Sequence, residues 1–303
     1  MTRRNPWVSV LVRNPLLIPG AAWLAGEALV RSTLRDRSPR IAAAGDPEDS
    51  LHQDRCNAVI SRLREADTSA ALALLVAVCG KPEPAQDTYS CAQRIANAAL
   101  LARSGIALPE AVHKRLRLDA AQIMRNPEYK RSSTWFNNHL LNDLRGLVLY
   151  RAHFSAGLET ADVDGAIARM EGWLLRDLTT LFRDGRGPIL NEGSVSYEIL
   201  VLSRIFDVAM AGPPSPLVQL FRSWLGDNAV TAMSQYRKGG AWLLPEIGDI
   251  TPDWERADAL AFLDGVFLGK NTIYRRAWGR ELDALGYSSP AAMPEFRGAS
   301  CAE

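Results

Sequence analysis

From residue 51 onward, apolar residues recur at a spacing of about 3.6 in one segment after another, and strand-like alternation is scarce. A chain with that pattern must pack helix against helix. AALALLVAV, residues 70–78, is an apolar helix core closed by Gly80, Pro82 and Pro84. Further helices are expected over 86–104, 109–125, 136–157, 161–183, 195–211, 215–230, 253–268 and 271–285. Their even lengths and short turns fit antiparallel helical hairpins. No repeat of fixed period stands out, which argues against a TPR or ankyrin array. The expected fold is all-α, an incomplete α/α barrel or toroid of such hairpins. No low-complexity linker divides it, so 1–287 read as one domain and 288–303 as an irregular tail.

Charge excludes some partners. Lys and Arg total 35 against 34 Asp and Glu, so nothing advertises nucleic acid or an acidic membrane. Near the N-terminus, WVSVLV and LLIPGAAWLAGEALV are apolar, but Arg13, Asn14, Pro15 and Pro19 break the first run, while Glu27 and Arg31 end the second. Neither reaches the roughly 18 to 20 residues of a membrane span. A clean signal-peptide core with a small-residue cleavage site is missing too, so the segment reads as an opening helix and a cytoplasmic location is favoured over a periplasmic one. Cys56, Cys79, Cys91 and Cys301 form neither a CxxC nor a Cys/His ligand spacing, and no metal or other cofactor is expected. Their scatter fits free thiols in a reducing compartment and leaves a Cys79–Cys91 bridge open.

Three connections are richer than turns need to be: RNPEYKRSSTWFNNH (125–139), RDGRGPILNEGSVSY (183–197) and YRKGGAWLLPEIGDITPDW (236–254). In a helical barrel alternate loops lie on one rim, where polar, glycine-rich loops would form a site. In the first, Asn137, Asn138 and His139 open a hydrophobic helix, although asparagine disfavours helix interiors. With a start near Phe136, Asn138, Asn142 and Arg145 fall at i, i+4 and i+7 on one stripe, and Leu140, Leu144 and Leu147 pack inward on another. A neutral amide beside an imidazole can hold a carboxylate and shuttle a proton; an Asn N-cap with an incidental histidine explains the same letters. In the second, Glu192 precedes a helix whose first turn carries Ser194, Ser196 and Tyr197, where the helix dipole favours a phenolate. In the third, Glu246, Asp249 and Asp253 could serve hydrolysis, while Thr251-Pro252 reads as an N-cap with Pro at N1.

Together and in this order, NNH followed by N and G on one helix, then EGSxxY, then a Pro-x-x-Gly-Asp loop resemble the α/α-toroid domain of heparinase II/III-like and alginate-lyase-like polysaccharide lyases. The likeness is best from Trp135 to Trp254. It implies β-elimination on a uronate polymer. Asn138 would neutralise the sugar carboxylate, His139 would assist, and Tyr197 would take the C5 proton or return one to the leaving O4. Substrate contacts would fall on Asn137, Asn142, Arg145, Glu192, Lys130, Arg131, Trp135 and Asp249.

The implied partner is an anionic polysaccharide or oligosaccharide. Typical members continue into an antiparallel β-sandwich that adds a histidine, and no counterpart is expected in this sequence, so a separate β-rich domain or partner chain would take its place. His52, His113 and His153 match no motif position, and GDITPDW departs from the glycine-rich loop of the family. Two other functions fit: a non-catalytic toroid that binds an anionic glycan or assists surface-polysaccharide assembly, and a helical-barrel glycoside hydrolase using Glu192 or Glu246 with Asp249.

Overall fold

A computed structural model describes residues 67–80, 88–127, 138–155, 158–182, 195–227, 229–234, 236–238, 241–242 and 253–287. All of them fall in one compact unit, His52–Glu303. The expected opening helix and the tail beyond 287 lie outside these residues.

The helices are α1 (Thr68–Cys79), α2 (Thr88–Arg103), α3 (Glu110–Arg125), α4 (Asn138–His153), α5 (Thr160–Phe182), α6 (Val195–Ala211), α7 (Pro216–Asp227), α8 (Ala229–Ser234), α9 (Asp253–Phe267) and α10 (Ile273–Ala284). A two-stranded ribbon, β1 (Arg237–Lys238) and β2 (Ala241–Trp242), pairs Arg237 with Trp242. The described part is therefore all-α, with helix ends within a few residues of those read from periodicity. Cys79 and Cys91 are both buried and are not bridged to each other.

Consecutive helices fold back on each other. Arg94 and Asp119, equally far from the α2–α3 turn, meet across it, and Arg151 and Asp164 do so across the α4–α5 turn. These contacts require antiparallel hairpins. Between hairpins the relation is parallel. Tyr89 and Gln93 of α2 meet Asn142 and Arg145 of α4, and Asn138 and Arg145 of α4 meet Arg204 and Asp207 of α6. Helices α2, α4 and α6 thus run side by side in one direction. Helix α9 packs on α6, and α10 on both α9 and α2.

Helix α4 is the centre. Its neighbours are α2, α3, α5 and α6, and every residue from Leu140 to Tyr150 is buried. Here the structure departs from the expected split into a polar cleft-facing stripe and an apolar inward one. From Leu140 to Tyr150 α4 has no solvent face, so Asn142 and Arg145 lie against protein.

Close approach of α2 to α4 needs Gly146. A Cβ there would lie 2.9 Å from both Cα and Cβ of Ala92 and 3.1 Å from Ile123 Cδ1. Gly172, on an exposed part of α5, has nothing within 4 Å of its would-be Cβ. Gly146→Ala is accordingly expected to lower stability by about 1–3 kcal/mol through overpacking. Gly172→Ala should raise it by roughly 0.5–1 kcal/mol, because alanine loses less backbone entropy in a helix. Urea midpoints of the two variants would separate these effects.

The C-terminal ends of α2 and α4, and Phe206 of α6, converge on Trp278 of α10. The Arg103 guanidinium lies 3.9 Å from its ring centroid, His153 at 6.4 Å and Phe206 at 6.1 Å. Burial, followed by the positive charge of Arg103, holds the His153 imidazole below its ordinary range, with Glu281 opposing. A histidine that resists protonation in the fold takes up its proton more readily when unfolded. Its contribution to stability is present above the unfolded value, about 6.5, and is lost as pH falls through and below it. The loss of stability on acidification below that value should therefore be shallower in His153→Gln than in wild type, as read from denaturation midpoints across the range.

Candidate functional site

The N-terminal ends of α2 and α4 meet the middle of α6, and there the polar residues gather. Asn138 is the first residue of α4 and only 4% exposed; its carbonyl accepts a hydrogen bond from Arg204 Nη1 at 3.3 Å. His139 is half-buried, its ring tilted at 50° against Tyr89 with centroids 5.2 Å apart. Tyr89 in turn accepts a hydrogen bond on its hydroxyl oxygen from Arg204 Nη2 at 2.6 Å. The Arg204 Cζ lies 5.0 Å from the centre of that ring. An amide, an imidazole, a phenol and a guanidinium thus meet where one end of α2 and α4 lies against the middle of α6.

A second tier lies beneath. Asn142 Nδ2 donates to the Tyr89 carbonyl at 3.1 Å, and Thr88 Oγ1 donates to Asp143 Oδ2 at 3.0 Å. Arg145 Nε donates to Asp207 Oδ2 at 2.6 Å and Nη1 to Gln93 Oε1 at 3.4 Å, while Gln93 Nε2 donates to Asn97. Arg145 and Asn142 are both 0% exposed. Charge-assisted bonds of this kind are strong only while both partners stay in place. Asn142 and Arg145, expected to hold substrate, are therefore engaged by the protein itself and fix the positions of the residues above them.

Of the remaining expected site residues, Asn137, Lys130, Arg131, Trp135, Glu192 and Asp249 lie outside the described residues. Tyr197 is in the first turn of α6, seven residues ahead of Arg204 and so on the same helical face; its side chain is outside the description. Sequence reading missed Tyr89, Gln93, Arg204 and Asp207. Their signal was available: Tyr89, Gln93 and Asn97 stand at i, i+4 and i+8 on α2, and Arg204 and Asp207 interrupt the apolar run of α6.

Elsewhere, a cavity of about 470 Å³ lies between α4, α5 and the α6–α7 turn. Glu171 lines it and accepts a hydrogen bond from Ser215 Oγ at 2.9 Å. Burial pushes its carboxyl up, with the Ser215 bond opposing. No group of three or more His, Cys, Asp or Glu among the described residues could hold a metal ion. Comparison with family models, with curated proteins and with solved structures gave no match.

The Arg145–Asp207 pair can be tested directly. Asp207→Ala would leave a buried guanidinium without its counter-charge, and a loss of about 3–5 kcal/mol in unfolding free energy is expected. Denaturant titration checks it. A loss below about 1 kcal/mol would mean that water reaches the pair, as at an exposed ion pair.

Proposed function

We propose that this chain acts on uronate-containing polysaccharides by β-elimination, through a helical toroid of the heparinase II/III-like and alginate-lyase-like kind. Neighbouring hairpins with parallel inner helices, and the return of α10 to α2, support that architecture. The observation that carries the function is the grouping of Asn138 and His139 with Tyr89 and Arg204 at one end of α2 and α4. Elimination needs groups of this kind. The C5 proton of a uronate becomes removable when its carboxylate is neutralised, because the charge left on C5 then spreads into the carboxyl group. Asn138 and His139 supply neutral or cationic hydrogen-bond donors for that carboxylate. Tyr197 donates a proton to the departing O4. The polymer is cut without water, and one fragment carries a C4=C5 double bond.

The carboxylates beside this site argue against hydrolysis among the described residues. Asp143 and Asp207 are fully buried and held by Thr88 and Arg145, so neither faces a sugar as an acid or base.

The test is incubation of the chain with a panel of uronate polymers, following the ultraviolet absorbance of the unsaturated uronate. Wild type is expected to produce that absorbance, and Asn138→Ala to lower its rate by about 10²–10³-fold, the usual loss for a missing donor to developing negative charge. New reducing ends without the absorbance, at equal rates in both proteins, would mean hydrolysis and end the elimination reading.

A further inference from the structure

Three arginines of the helical core, Arg94, Arg145 and Arg204, are 0% exposed. Two are neutralised at once. Arg94 is gripped by both oxygens of Asp119 at 2.8 Å, and Arg145 by Asp207 at 2.6 Å. Arg204 is different. Among the described residues it pairs with no carboxylate: its hydrogen bonds go to the Asn138 carbonyl and the Tyr89 hydroxyl oxygen, and its Nε has no hydrogen-bond partner. Asp207, one turn along α6, directs Oδ2 to Arg145. Asp143 comes five residues after Asn138, roughly 140° round α4, and takes the Thr88 hydroxyl.

A buried guanidinium cannot relieve its cost by losing a proton, since it stays charged in proteins. It needs an anion, and it has no surface through which a ligand could supply one. The group its hydrogen bonds do reach that can become an anion is Tyr89. That residue is only half-buried and stands ring to ring with His139, where a ligand held by His139 would lie. A positive charge bonded to a phenol oxygen favours the phenolate over the phenol.

We propose that Tyr89 is the proton acceptor of this site, with Arg204 as the positioning residue that holds and polarises it. The proposal rests on the elimination reading above and adds to it the residue that starts the reaction. The Tyr89 oxygen takes the proton from C5. The electron pair of that C–H bond forms C4=C5, and the C4–O4 bond breaks with its pair on O4. O4 takes a proton from the Tyr197 hydroxyl, and solvent then reprotonates Tyr197 and removes the proton from Tyr89. One proton is taken up and one released, so the reaction needs no co-reactant.

The experiment is a spectroscopic pH titration of tyrosinate in the full-length chain, without substrate, for wild type, Tyr89→Phe, Arg204→Lys and Arg204→Gln, with circular dichroism to confirm that each is folded. One of the seven tyrosines is expected to titrate ahead of the rest in wild type. That early step should vanish in Tyr89→Phe, persist in Arg204→Lys, which keeps the charge, and move up to join the others in Arg204→Gln. If the Arg204 variants do not fold, the comparison of wild type with Tyr89→Phe decides alone. A wild-type titration without an early step, or an early step unchanged in Tyr89→Phe, overturns the proposal even if elimination is observed. An early step lost in Tyr89→Phe, with no elimination on any polymer, supports the Arg204-held tyrosine and sinks the elimination reading instead.

Discussion

The buried pair of Arg145 and Asp207 is the contact on which the arrangement of α2, α4 and α6 depends. One guanidinium reaches α6 through Asp207 and α2 through Gln93, so three parallel helices are held in a single register by one side chain. Apolar packing alone would tolerate small slides of one helix along another, because leucine and isoleucine contacts are not directional. A charge-assisted bond of 2.6 Å is directional and costly to break in the interior. Gly146, next in sequence, removes the side chain that would keep α2 away, and the bond to Gln93 closes over that gap. Once the register is set, the first turns of α2 and α4 end on the same side, with their positive dipole ends together.

Much of this could be read from the sequence where a pattern repeats and little where it depends on partners. Helix positions came from apolar spacing, which is local, and the structure reproduces them within a few residues. The stripe Asn138, Asn142 and Arg145 was also local and real. Its destination was not readable, because whether a polar stripe faces a cleft or a neighbouring helix depends on Gln93 and Asp207, distant in the chain. Arg204 illustrates the same limit. Its place in an apolar run marks it as unusual, but only the fold reveals that its partners among the described residues are a phenol and a carbonyl rather than a carboxylate.

The two ends of α2 and α4 meet different chemistry, and this bears on where a ligand could act. At the C-terminal end, aromatic rings close the core. Trp278 meets Phe206, Phe206 meets Phe262, and Phe262 meets both Tyr274 and Phe267 in edge-to-face contacts. Such pairs gain energy from fixed ring geometry. Even the charge there is absorbed locally: Arg103 lies on the Trp278 ring and bonds Glu281. At the other end His139 and Tyr89 are half-buried, and the charge of Arg204 beneath them is met by neutral oxygens. A residue whose charge is already matched gains little from a ligand, whereas one met only by neutral dipoles still favours any anion formed nearby. The asymmetry follows from which arginines carry an aspartate: Arg94 and Arg145 do, and they serve the frame. Among the described residues Arg204 does not, and its guanidinium lies against Tyr89, whose ring stands beside His139.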